Sequence, residues 1–196
     1  EMLGMAFFKS LVKQHGKKFF ESIGRILFDA GIKQPNLMNP THLWKLKGPM
    51  MAYAKWFTGR KLAGVTRDSL AEMPRDLRRH AEFARGILSG SCFDISGMMR
   101  TYQLKLADRQ CSMTQASARI QDAVTMLVVS LYGAKHECEV TRAAAEVLCT
   151  HLRHRMQGTL PTGRDFRRVT ELGSAIAEGG WAALHDVEEE EVLMKY

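Results

Sequence analysis

The stretch Gln115–Ala134 constrains the fold more than any other in this chain. Ile120, Ala123, Val124, Leu127, Leu131 and Ala134 recur at helical spacing. Between Ala123 and Ala134 the only polar side chains are Thr125 and Ser130. A helix apolar on nearly every side is expected to be surrounded by others. It is too short to cross a bilayer, so the expectation is a central core helix. Near its polar start, Arg119 and Asp122 lie three apart, and a structural ion pair between them is expected.

The neighbouring segments point the same way, and no stretch alternates as a strand does. Downstream of Pro74 the apolar seam Leu77, Ala81, Ala84, Leu88, Cys92, Ile95, Met99, Tyr102, Leu106 predicts one long helix over about 74–108. Its glycines 86, 90 and 97 are expected to kink it or admit a neighbour. Val140, Ala144, Val147, Leu148 and Leu152 predict a helix reaching Met156. Phe166, Val169, Leu172 and Ile176 predict another over 164–178, ended by Gly179-Gly180. Upstream, apolar residues from Met2 to Val12 and from Phe19 to Leu27 predict two helices separated at Gly16, the second capped by Gly31. The fold class expected is all-α: about four core helices after residue 74 in an antiparallel bundle, preceded by two N-terminal helices and a short basic amphipathic helix. The organisation expected is 1–30 as N-terminal helices and 31–73 as a connector carrying that short helix at 49–62. The bundle is 74–180, and the acidic tail is 181–196, with Glu188 to Glu191 as a solvated run.

Charge is unevenly placed. The net charge is +7, but residues 1–67 hold twelve Lys and Arg against Glu1, Glu21 and Asp29. That part meets an anionic partner or is solvated. Segment 49–62 combines Met50, Met51, Tyr53, Trp56 and Phe57 with Lys55, Arg60 and Lys61. Aromatic tips beside cations suit a helix lying on an anionic membrane, so these eight residues are the membrane-contact candidates. The plainer reading has the Met and aromatic face packed against the body. Nucleic acid ranks behind a membrane, because no interleaved nucleic-acid motif accompanies the charge.

Chemistry is sparse. Cys92, Cys111, Cys138 and Cys149 form no Cys-x-x-Cys pair and suit buried, reduced thiols. His151 and His154 near Cys149 have metal-like spacing, but no second cluster completes a site, and Arg153 and Arg155 crowd it. His136-Glu137-Cys138 opens like a zinc-protease motif but lacks the closing His, since residue 140 is Val. No catalytic, cofactor-binding or metal residue is assigned.

Together, Gln115-x-x-x-Arg119-Ile120-x-Asp122-Ala123 and the apolar run to Leu131-Tyr132 resemble the C-terminal domain of the very long-chain acyl-CoA dehydrogenases. Leu77-x-x-x-Ala81-Glu82-x-Ala84-x-x-x-Leu88 with Lys105 is similar to that domain's preceding helix. Asn39-Pro40 and Arg60-Lys61 fall where the family has its Asn-Pro turn and basic segment, and Glu1-Met2-Leu3 looks like the end of the catalytic domain. Gln121 stands where the family prefers Ala, and residues 132–156 are shorter than in the family. The resemblance implies a domain serving dimerisation and inner-membrane association on the matrix side of mitochondria, in fatty acid β-oxidation. It places FAD and the acyl-CoA site in a catalytic domain, with none of that machinery in this chain. A branch of the family assembles respiratory complex I, so the alternative it implies is a non-catalytic scaffold or subunit of a mitochondrial assembly.

Overall fold

A computed structural model of the chain describes residues 2–32, 39–63, 70–102, 106 and 108–181, the side chains of residues 2–5 and 43 excepted. Those residues are all-helical: α1 (Met2–Phe19), α2 (Glu21–Asp29), α3 (Pro40–Leu62), α4 (Arg75–Tyr102), α5 (Gln110–Lys135), α6 (Glu139–Gln157) and α7 (Gly163–Gly179). The acidic run Glu188–Glu191 and the connector residues 33–38 and 64–69 lie outside the described residues.

The helix ends have local causes. Gly31 closes α2 at φ 66°, its N–H bonding Phe28 O while Ile32 N–H bonds Leu27 O, a Schellman stop. Gly158, at φ 65°, caps α6. Thr162 and Asp165 form the capping box of α7. Two expectations change. Gly16 does not break α1; a Cβ there would stand 2.8 Å from Met99 Cε, so this glycine marks a close approach. Asn39-Pro40 opens α3 instead of lying in a connector: Asn39 Oδ1 accepts from Thr41 N–H at 3.0 Å, and Pro40 sits where a helix needs no N–H.

The chain gathers into two compact units, one of residues 1–67 with 85–121, the other of 68–84 with 122–196. Two of the three boundaries fall within α4 and α5, and the third lies between residues 67 and 68.

In the first unit Phe8, Ile95, Leu106, Met113 and Ile120 form the buried centre, with Leu11, Leu88, Met99 and Tyr102 against it. The predicted α4 seam is thus realised on both sides of residue 85, since Leu77, Ala81 and Ala84 are buried in the second unit. The helix is described over Arg75–Tyr102, the rest of the stretch expected up to 108 lying largely outside the described residues, and a Cβ at Gly86, Gly90 or Gly97 would meet nothing within 4 Å.

In the second unit Ala84, Met126, Cys149 and Leu152 are the buried centre. The expectation of a surrounded α5 is corrected here. Met126 and Ser130 are fully buried, yet Val124, Val128, Leu131 and Tyr132 are exposed along the opposite side of the helix. Ser130 is accommodated because its hydroxyl donates to Met126 O at 2.7 Å. The inward line of α6 is Thr141, Ala145, Cys149 and Leu152, while Leu148 faces out. Thr141 accepts a hydrogen bond from Trp181 Nε1 at 2.9 Å. On α7, Phe166 and Val169 are exposed, and Leu172 and Ile176 are half-buried. Of the four thiols only Cys149 is buried; Cys92 is half-buried, and Cys111 and Cys138 are exposed.

The inward line of α6 contains small residues because α5 comes very close. A Cβ on Gly133 would lie 2.6 Å from Ala145 Cβ and 3.4 Å from Leu77 Cδ1. Gly133, expected as a bend, is an interior residue of an unbroken α5. Gly133→Ala gains about 1 kcal/mol of helix propensity but overpacks this contact, so a net loss of about 1 kcal/mol is expected in urea denaturation.

Asp122 is 8% exposed and pairs with Arg155 of α6, not with Arg119. The Arg155 guanidinium donates to both carboxylate oxygens, through Nε at 2.8 Å and through Nη2. Arg119 is exposed. Asp122 lies on the side of α5 that α6 covers, so a cation from α6 reaches it while Arg119 projects to solvent.

Candidate functional site

The basic segment singled out in the sequence belongs to α3, in the first unit. The helix has five cations, Lys45, Lys47, Lys55, Arg60 and Lys61, and no acidic residue. Arg60 and Lys61 occupy its last turn, where they complement the carbonyl end.

Both long sides of α3 are apolar, for different reasons. One side holds Leu46, Tyr53, Trp56 and Phe57 against the unit. Leu46 is buried, and the three aromatics are half-buried in a cluster with α1, the α1–α2 junction at Phe20, and α4. Trp56 stacks 4.5 Å from Phe19 and 5.1 Å from His15; Phe57 meets Phe93 edge-on at 5.0 Å; Tyr53 lies 5.7 Å from Phe20. The Tyr53 hydroxyl is 2.7 Å from Ser96 Oγ, which is 3.1 Å from His15 Nε2. Burial and the nearby Lys18 lower the pKa of His15. The Ser96 hydroxyl thus bridges Tyr53 and His15, and this buried group is satisfied.

The other side faces outward. Trp44 is 75% exposed, Met51 64% and Leu62 85%. At about 100° per residue, positions 44, 51 and 62 fall within about 20° of one line along the helix, over a rise of about 27 Å. Lys55 lies on the same line, and Lys45, Lys47 and Lys61 flank it. The Lys47 ammonium sits 5.1 Å from the Trp44 ring centroid.

The structure thus divides the eight candidate residues. Tyr53, Trp56 and Phe57 hold α3 to the unit, with Met50 half-buried; Met51, Lys55, Arg60 and Lys61 are exposed. Trp44 and Leu62 complete the outer line and lay outside or at the edge of the sequence segment. The signal that could have found them is the Asn39-Pro40 helix start, which extends the helical spacing back to Trp44.

Elsewhere, His151 is exposed, Cys149 is buried beside Ser130 Oγ at 3.3 Å, and His154 is bonded to Thr159 and Asp165. Among the described residues no group of three or more His, Cys, Asp or Glu is placed to hold a metal ion, and no helix is long and apolar enough to cross a membrane.

Comparison with protein-family models, with curated proteins and with solved structures gives no match.

Proposed function

We propose that this chain is a docking domain that lays α3 on an anionic lipid surface. The observation that carries the reading is the exposed line Trp44–Met51–Leu62, flanked by cations in a helix without one acidic residue. Lysines draw the helix to the headgroups, and their alkyl stems lie along the apolar line while the ammonium groups stay in water. Trp44, Met51 and Leu62 enter the acyl boundary, with the helix lying in the plane of the interface. The aromatic cluster on the inner side keeps α3 attached while its outer side is engaged. The helices after residue 74 are proposed to run as an antiparallel bundle. The surface we propose, following the resemblance to the very long-chain acyl-CoA dehydrogenase C-terminal domain, is the matrix side of the inner mitochondrial membrane.

Co-sedimentation with vesicles tests this. The chain is expected to bind cardiolipin-containing vesicles and to ignore purely zwitterionic ones. Replacing Trp44 and Leu62 by Ala removes two partly buried anchors worth about 1 kcal/mol each, so affinity is expected to fall about thirtyfold at unchanged helicity. Trp56→Ala with Phe57→Ala is expected to lower the unfolding midpoint instead. Stronger binding to an RNA of equal charge than to the vesicles overturns the proposal.

A further inference from the structure

The second unit contains a cleft of about 360 Å³ bordered by α4, α6 and α7. Four arginines line it, Arg79, Arg153, Arg164 and Arg168. Its three carboxylates are already engaged. Glu146 accepts from the Arg168 guanidinium. Asp165 accepts from the Thr162 backbone N–H at 2.7 Å and hydroxyl at 2.6 Å, and lies 3.2 Å from His154 Nε2. These bonds hold its pKa down to about 2. Asp76 stands 3.9 Å from Arg79 in an exposed pair. Arg153 and Arg164 have no carboxylate partner among the described residues. Arg153 lies over the Phe83 ring, 4.7 Å from its centroid. Burial, then the like charge of Arg79, disfavours its protonated form.

His80 lines the same cleft and is 7% exposed. Its Nδ1 is buried and has no hydrogen-bond partner. Such a nitrogen loses its water on folding and gains nothing in return unless another group arrives. Burial first, then Arg153 and Arg79, press its pKa to about 4, so the imidazole is neutral at pH 7. A neutral ring can donate from Nδ1 without taking up a proton.

We propose that this cleft binds a phosphate group, carried by inorganic phosphate, a small phosphomonoester or a lipid headgroup. Arg153 and Arg164 supply the charge, and His80 Nδ1–H supplies a directional donor. Two cations without carboxylate partners match a dianion, and guanidinium forks match phosphate oxygens. The volume leaves room for the organic part of an ester. The proposal is independent of α3, which belongs to the other unit.

Phosphorus NMR and calorimetry on the full chain test it with inorganic phosphate, glycerol phosphate and a short-chain phosphatidate below its micelle threshold. Acetate serves as a control monoanion. A Kd of about 1 mM or tighter is expected for at least one phosphate probe. Arg153→Gln with Arg164→Gln is expected to weaken it about tenfold or more, with circular dichroism unchanged. Replacing the buried His80 endangers the fold, so its imidazole nitrogen shifts in the wild-type chain report its part: Nδ1 should move on titration. Tighter binding of phosphatidate than of the soluble probes assigns the site to a headgroup, and the reverse assigns it to a soluble phosphate. Acetate binding as tightly as phosphate, or an unchanged affinity in the double variant, overturns the proposal.

Discussion

Reversing Lys45 and Lys55 to glutamate is expected to cut partitioning onto cardiolipin-containing vesicles by about three orders of magnitude. Each reversal changes the charge of α3 by two. A basic side chain close to an anionic leaflet contributes about 1 kcal/mol, so the pair forfeits about 4 kcal/mol. Both lysines are exposed, and neither is in an ion pair among the described residues. The folded unit should therefore stay within about 0.5 kcal/mol of its original stability. Raising the salt concentration should weaken the wild-type chain more than the reversed one, because screening acts on an attraction that the variant has largely lost. Vesicle titration at two ionic strengths gives both readings. If the reversed chain binds as the original does, charge is not what brings α3 to the surface.

Arg155→Ala is expected to destabilise the second unit by about 2–3 kcal/mol, whereas Arg119→Ala should change little, within about 0.5 kcal/mol. Asp122 is buried, and both its oxygens are held by the Arg155 guanidinium. Removing that cation leaves a carboxylate away from water with no equal partner. Arg155 itself is 57% exposed, which keeps the loss below that of a fully buried pair. The opposite truncation, Asp122→Ala, should cost less, since the freed guanidinium can return to water. Urea denaturation of the three variants ranks them. Equal losses for Arg119→Ala and Arg155→Ala would mean that the bond across to α6 carries no stability.

The helices were legible in the sequence because their causes are local. The α4 seam, the Gly31 stop and the double glycine at the end of α7 each act within a few residues of where they are written. The start of α3 also has a local cause, Asn39-Pro40, but the loop-like composition around it hid the cap, and the helix was expected only from residue 49. The partner of Asp122 was not legible. In sequence Arg119 is one turn away and Arg155 is 33 residues on, and only the approach of α6 to one side of α5 selects between them. The cleft was equally hidden, since His80, Arg153 and Arg164 belong to three separate helices and form no motif.

By itself the sequence determined the all-α class, most helix ends and the acid-free basic character of 49–62, to which the structure adds Lys45 and Lys47. Those are properties of spacing, capping and charge, which need no neighbour. Tertiary structure alone decided which sides of the helices are used. α3 is apolar on two sides, and periodicity cannot say which one the body takes. Packing against Phe19, Phe20 and Phe93 claims Tyr53, Trp56 and Phe57, and Trp44, Met51 and Leu62 are exposed. The same holds for α5, where α6 covers Met126 and Ser130 but not Val128. A hydrophobic pattern states how much surface can be buried; only the neighbouring helices choose which part is.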